Sequence, residues 1–169
     1  FNVRQLHFHL GPGSVSFLRV HRPEKFGDEM HNVRFTIVDT NAEKKPRMGF
    51  ETGRVYAGLR GVVPIFTRDE ENNESVHVGA LEVGTSFNTV LNILDKRYEN
   101  GVAVLLTREH IKSAMWPDFI KKRFGNDDND CECVIEASSR EGMSDIVKAS
   151  NKLGIYFREE STNIVKIND

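Results

Sequence analysis

A strand–turn–strand pattern near the start of the chain, "LHFHLGPGSVSFLRVH", constrains the fold most strongly. The apolar residues of "LHFHL" alternate with His7 and His9, and this period of two is typical of a half-buried strand. The "GPGS" segment favours a turn, and the second run carries Arg19 and His21 two residues apart. The pattern therefore predicts a β-hairpin that carries cationic side chains within an otherwise apolar sheet.

Length and composition narrow the class of protein. A chain of 169 residues is long enough for one domain, or for one domain with a small annex. Basic and acidic residues nearly balance, 23 against 25, which argues against a nucleic-acid-binding face. There is no apolar run of the roughly 18 residues that a membrane helix needs and no signal peptide, so we expect a soluble piece cut from a larger protein.

The order of elements predicts an α+β fold. After the hairpin, apolar residues at helical spacing predict a helix over 24–43, and "GFETGRVYAGLRGVVPIFTR" predicts two strands. The polar "RDEENNES" predicts a turn, "VHVGALEVGTS" a further strand, and Ser86 the cap of a helix that ends at Asn100 and Gly101. The expected architecture is a PAS-like antiparallel sheet flanked by helices.

The second half of the chain is less regular. We expect a strand at "GVAVLLT", a helix beginning at Pro117, and a strand at "CVIEAS" followed by a short helix through Met143. The segments "LGIYFRE" and "NIVKI" predict the last two strands. We therefore divide the chain into a ligand-binding sensory module, 1–100, and a smaller C-terminal α/β annex, 101–169, interpreted as a truncated or degenerate second module.

The two cysteines, Cys131 and Cys133, stand one residue apart. A disulfide closing so small a ring would be strained, so we expect two free thiols, with a metal pair as the alternative.

The alternation also predicts which side chains share a face of the sheet. His7 and His9 face one way, and Val78, Ala80 and Glu82 share a face of the later strand. One interpretation is a solvated outer face. The other is a cleft for an anion or an amino acid, because histidine, arginine and phenylalanine interleaved are what such a cleft uses.

A metal site is a second interpretation of the same residues. Two imidazoles on one strand face and a nearby carboxylate could bind zinc or iron, which gives the set His7, His9 and Glu82 and a small metal-dependent enzyme. No Gly-x-Ser-x-Gly elbow is present, so we expect no serine nucleophile. A structural adaptor without ligand or metal is a third interpretation.

Four segments in order, "LHFHL", "SFLRVHRPEKFGDEM", "GFETGRVYAGLRGVVPIF" and "HVGALEVGTSF", resemble the Cache-type sensory domains of bacterial chemoreceptors, sensor histidine kinases and diguanylate cyclases. The likeness runs from about Leu6 to Phe87. It implies a non-enzymatic extracytoplasmic domain, periplasmic, whose sheet cups a small ligand and follows a long helix that arises from a membrane span. It also implies membrane anchoring through absent segments, a homodimer and a chemotaxis or other two-component or second-messenger output.

The resemblance implies a ligand site on the matching motifs, and we expect no cofactor and no nucleic acid. The cations would meet an anionic or zwitterionic ligand, and the aromatic residues would form apolar walls. The alternative is that Arg19 and Glu51 pair with each other and only fix the fold. The implied ligand-binding residues are His9, Phe17, Arg19, His21, Phe50, Glu51, Arg54, Tyr56 and Arg60.

Overall fold

The strands predicted in the first half of the chain pair into one antiparallel sheet. The computed structural model describes residues 3–125 and 132–152. Its strands are β1 (Val3–Leu10), β2 (Val15–Arg19), β3 (Arg47–Thr52), β4 (Ala57–Arg68) and β5 (Ser75–Thr85). The sheet has the order β2-β1-β5-β4-β3, so the predicted hairpin lies at one edge and β5 lies in the centre.

The helix α1 (Phe35–Glu43) packs on this sheet. Its Ile37 is fully buried and forms a small apolar core with Val62 of β4 and Ala80 of β5. Because the polar residues of β1 and β5 lie on this same covered face, the apolar core leaves room for a buried polar cluster. The predicted α+β architecture is confirmed.

The helix predicted over 24–43 is wrong in its first half. Residues 24–34 form turns and irregular backbone with one isolated bridge, and Gly27 has a φ of 85°, which interrupts any helix. The segment instead runs alongside β2, since the Ser16 backbone amide donates a hydrogen bond to the Asp28 carbonyl and the Ser16 carbonyl accepts one from the Gly27 amide. Met30 is buried outside a helix and Phe26 is 70% exposed, so their helical spacing misled the prediction.

The chain divides into two compact units between Ser86 and Phe87, so the helix after β5 groups with the second unit. The predicted module boundary falls after this helix, and the assignment of an annex stays a prediction. The described elements of the second unit are α2 (Asn88–Tyr98), β6 (Ala103–Thr107), α3 (Arg108–Ala114), α4 (Pro117–Phe124), β7 (Cys133–Ser138) and α5 (Met143–Lys152). Strands β6 and β7 pair into a two-stranded antiparallel sheet.

Most of the predicted elements of the second unit are present, with two differences. Pro117 begins α4 as expected, but α3 was not predicted; Thr107 caps it by accepting a hydrogen bond from the His110 amide. Phe87, not Ser86, occupies the cap position of α2. The strands predicted at "LGIYFRE" and "NIVKI" lie outside the described residues.

Within the described ranges, no helix combines the length and apolar character needed to cross a membrane.

Cys133 at the start of β7 forms a disulfide, so the expectation of free thiols is wrong for this residue. The other cysteine in the sequence, Cys131, lies outside the described residues.

Candidate functional site

The histidine-bearing face of the sheet is buried. His7 and His9 are 0% and 2% exposed, and the register of β1 with β5 places His7 opposite Glu82. Side chains directly opposite each other on neighbouring strands share a face, which here is the face that α1 covers. The solvated-outer-face interpretation is therefore wrong, and the opposite face carries half-exposed apolar residues such as Leu10 and Val63.

Glu82 lies at the centre of this face and is fully buried. Gln5 donates a hydrogen bond of 2.6 Å to its Oε2 atom. The same oxygen is 3.3 Å from Nε2 of His9 and 3.5 Å from Nδ1 of His7. One carboxylate oxygen thus collects three side chains of β1.

The other oxygen of Glu82 faces two arginines. Its Oε1 atom is 3.3 Å from Nε of Arg34 and 3.5 Å from Nε of Arg60, and both arginines are buried. Arg34 comes from the residue before α1 and Arg60 from β4, so the carboxylate joins the helix to the sheet. We call the following residues the inner-face cluster: Gln5, His7, His9, Arg34, Tyr56, Arg60 and Glu82.

Arg60 is held by two neighbours, Gln5 and Tyr56, through three contacts. Its Nη1 donates to Oε1 of Gln5 at 2.9 Å and to the Tyr56 hydroxyl at 3.2 Å, and its guanidinium carbon lies 4.7 Å from the centre of the Tyr56 ring. Gly84, opposite Arg60 in the register, leaves the space, since a Cβ there would stand 2.1 Å from Nη1 of Arg60. The guanidinium is therefore positioned by a glycine as well as by its hydrogen bonds.

Glu51 ties α1 to β3 beside the cluster. Its two carboxylate oxygens accept hydrogen bonds from the Thr36 amide at 2.7 Å and from the Thr36 hydroxyl at 2.8 Å. The Thr36 amide belongs to the first turn of α1, where backbone donors lack partners within the helix. A β3 carboxylate thus replaces the cap that Arg34 does not provide.

Burial and charge set the protonation of the cluster. Burial alone would raise the pKa of Glu82, but the adjacent imidazoles of His7 and His9 and the charges of Arg34 and Arg60 hold it well below its usual range. Burial lowers the pKa of His7 to about 4, against the opposing effect of the nearby Glu82 carboxylate. At neutral pH the cluster therefore contains a carboxylate, two guanidinium ions and a neutral His7.

Several buried donors of the cluster remain unsatisfied by the protein. Nε and Nη1 of Arg34, and Nε and Nη2 of Arg60, make no hydrogen bond within the described parts of the chain, and neither does Oε1 of Glu82. A buried polar atom without a partner costs about 1–3 kcal/mol, more when it is charged. A small polar ligand could satisfy both the guanidinium donors and the carboxylate oxygen.

Some predicted site residues belong to this cluster and others do not. His9, Tyr56 and Arg60 are in it, and Glu51 lies beside it. Arg19 instead makes a bidentate pair with Asp28, at 2.7 Å for both bonds, which lowers the pKa of the Asp28 carboxyl. The predicted alternative pairing of Arg19 with Glu51 is therefore wrong.

The predicted aromatic walls lie elsewhere. Phe17 has no partner in the β1–β2 register, next to an irregularity, and is 60% exposed. Phe50 pairs with Leu59, which puts it on the face opposite Arg60, and is 45% exposed. His21 is exposed beyond the end of β2, with its ring 6.5 Å from that of His7. Arg54 is partly buried in the connection between β3 and β4.

Sequence reasoning missed two members of the cluster. Gln5 stands two residues before His7, so the same alternation that grouped the histidines could have included it. Arg34 gave no such signal, because it follows an irregular segment and was expected inside a helix.

The alternative metal set is brought together. His7, His9 and Glu82 each offer a donor atom, and these atoms lie within 4.8 Å of one another.

Comparison with known families adds the decisive observation. A family model for the double sensory domain of two-component sensor kinases, dCache_3, matches residues 1–131. The chain belongs to this double Cache family. No curated protein and no solved structure matches. The resemblance to Cache domains is thus confirmed, and double Cache domains are extracytoplasmic, non-catalytic sensory domains of membrane sensor proteins that bind small ligands.

Proposed function

We propose that this double Cache chain binds a small anionic or zwitterionic molecule at the inner-face cluster. The observation that carries the proposal is the set of buried guanidinium nitrogens of Arg34 and Arg60 that have no hydrogen-bond partner in the described protein. A carboxylate or phosphate accepts parallel hydrogen bonds from a guanidinium group, and these charge-assisted bonds are stronger than neutral ones. Of the residues predicted for the site, His9, Tyr56, Arg60 and the neighbouring Glu51 stay in this proposal.

The same cluster offers a partner for a positive group. Oε1 of Glu82 is buried and accepts no hydrogen bond from the described residues. An ammonium group of a zwitterionic ligand would pair with this oxygen while the ligand's carboxylate engages Arg60. Amino acids, dicarboxylates and phosphorylated compounds are therefore the ligand classes to test.

Binding at this position would change how α1 is held. Arg34 and Thr36, at the start of α1, contact Glu82 and Glu51 of the sheet. A ligand that engages Arg34 competes with its contact to Glu82 and so favours one of two arrangements of the helix. Micromolar affinity corresponds to about 8 kcal/mol, and an allosteric coupling of about 1–3 kcal/mol is typical. Signalling therefore needs no chemical reaction.

In the full-length protein we propose a periplasmic position, anchoring in the inner membrane, a homodimer, and output to a chemotaxis, two-component or second-messenger pathway. Family membership supports this setting. The disulfide of Cys133 fits an oxidising compartment.

The test is a melting-temperature screen of the purified chain with amino acids, dicarboxylates and phosphorylated compounds. We expect at least one compound to raise the melting temperature. Arg60→Lys should remove that shift, because lysine keeps the positive charge but cannot make the bidentate hydrogen bonds of a guanidinium group. Arg68→Lys, at the exposed end of the same strand, is the matched control and should keep the shift.

The proposal is contradicted if no compound stabilises the wild-type chain, or if both lysine variants respond like the wild type.

A further inference from the structure

We propose that His7, His9 and Glu82 together bind one divalent transition-metal ion of the zinc type. This metal site goes beyond the proposed organic ligand, because its three donor groups do not depend on the unsatisfied donors of Arg34 and Arg60. The family assignment describes a sensory domain and says nothing of a metal.

The donor atoms have the spacing that a small metal ion requires. A tetrahedral zinc ion with bonds of about 2.0–2.1 Å separates its donor atoms by about 3.3–3.4 Å. Oε2 of Glu82 lies 3.3 Å from Nε2 of His9 and 3.5 Å from Nδ1 of His7. All three donor groups are fully buried or nearly so and come from neighbouring strands, so the sheet positions them without a flexible loop.

The surroundings match those of a protein metal ligand. The second ring nitrogen of a ligating histidine usually donates a hydrogen bond that fixes its orientation. Nε2 of His7 lies 2.8 Å from the Ser16 hydroxyl, so a proton on Nε2 leaves the Nδ1 lone pair directed at the carboxylate. Glu82 is oriented in the same way, because its other oxygen faces Arg34 and Arg60.

In the absence of a cation, one of the proposed metal-ligand atoms lacks a partner. Nδ1 of His7 is buried and makes no hydrogen bond to any group in the described ranges. A metal ion would give Nδ1 of His7 a partner. Nδ1 of His7 and Oε2 of Glu82, which now face each other, would then both coordinate the same ion. Imidazole and carboxylate donors together suit zinc, nickel, copper or iron better than magnesium or calcium.

The charges around the site limit its affinity. Arg34 and Arg60 face Glu82, while Glu51 acts electrostatically on Arg34 from β3. Two guanidinium ions and two carboxylates balance, so a divalent ion adds uncompensated positive charge. We therefore expect weaker binding than at a closed four-ligand structural site, with one coordination position left open.

The experiment uses the full chain, purified without a histidine tag, treated with EDTA and dialysed. Zinc chloride is titrated against a chromophoric chelator, and we expect one equivalent to bind. His9→Gln should weaken zinc binding about tenfold or more. Mutation of groups that only support a metal ligand already lowers metal affinity by about tenfold, and His9 is proposed as a ligand itself. His31→Gln, which removes an exposed histidine outside the cluster, is the matched control and should bind like the wild type.

Wild-type chain also decides the question if the glutamine variant does not fold. Long-range ¹H–¹⁵N spectra of the imidazoles should show zinc-dependent shifts at Nδ1 of His7 and Nε2 of His9. The inference is overturned if the wild-type chain takes up no more zinc than the EDTA-treated buffer control. It is also overturned if His31→Gln loses zinc binding, or if the resonances of these two nitrogens do not shift when zinc is added. The organic-ligand screen is run in EDTA, so either proposal can fail while the other stands.

Discussion

At the scale of single residues, the inner-face cluster depends on a glycine that leaves room for a guanidinium group. A Cβ on Gly84 would stand 2.1 Å from Nη1 of Arg60 and 3.3 Å from Cβ of Gln5. We expect Gly84→Ala to displace Arg60 and to lower the free energy of unfolding by roughly 1–3 kcal/mol, the usual cost of overpacking. Urea denaturation measures this, and the melting-temperature shift with ligand should decrease with it.

Gly61→Ala is the control, because a Cβ added at this neighbouring glycine of β4 would have nothing within 4 Å. Equal stability losses in the two alanine variants would show that Gly84 makes no specific room for Arg60.

The buried histidine His7 predicts a pH dependence of stability. Its pKa is lowered to about 4 in the folded chain, first of all by burial, against 6.5 ordinarily. Below pH 6.5 the unfolded chain therefore binds a proton that the folded chain does not, so stability falls as the pH is lowered from about 6.5 towards 4. In EDTA, we expect a loss of about 1.5 kcal/mol from this group between about pH 6.5 and about pH 5.

Urea denaturation at several pH values measures this slope in the wild type and in His7→Gln. The variant should lose less stability on acidification. An unchanged slope would show that His7 titrates alike in the folded and unfolded chains.

At the scale of elements, the start of α1 is held by a strand and not by its own sequence. Arg34 provides no side-chain cap, and Glu51 of β3 accepts the hydrogen bonds of Thr36 instead. Glu51→Ala should cost about 1–2 kcal/mol, in the range of a lost cap. Glu51→Gln should cost less, because its amide oxygen still accepts one bond.

Chemical denaturation of the two variants, with far-UV circular dichroism as the probe of helix content, measures the difference. If both variants keep wild-type stability, the strand does not cap the helix.

The elements also show how far the sequence predicts the fold. Period-two alternation and turn residues predict all five strands of the main sheet, because a strand's faces and its turns are local properties. The helix predicted over 24–34 was wrong because of a tertiary contact. The segment runs along β2, and the spacing of Phe26, Met30 and Val33 gives no sign of that pairing. Local periodicity cannot distinguish a helix from an irregular segment that packs along a strand.

At the scale of the whole molecule, the sequence predicts the face of the site better than its members. Alternation groups His7 with His9 and Ala80 with Glu82, and the register of β1 with β5 joins the two pairs. It could not show that this face is the covered one, because that depends on where α1 packs. Alternation also could not show that Arg34, which lies outside the sheet, contacts Glu82. Nor could it show that Arg19 forms an ion pair with Asp28 of the irregular segment 24–34.

Above all, we propose that the inner-face cluster of the first unit is the receptor site of a double Cache sensor. ¹H–¹⁵N spectra of the arginine side chains, recorded while the most stabilising compound of the screen is titrated, probe this site itself. We expect the Nε–H resonances of Arg34 and Arg60 to move with the titration while that of Arg68 stays in place. If Arg34 and Arg60 do not respond while Arg19 or residues of the second unit do, the receptor site lies elsewhere.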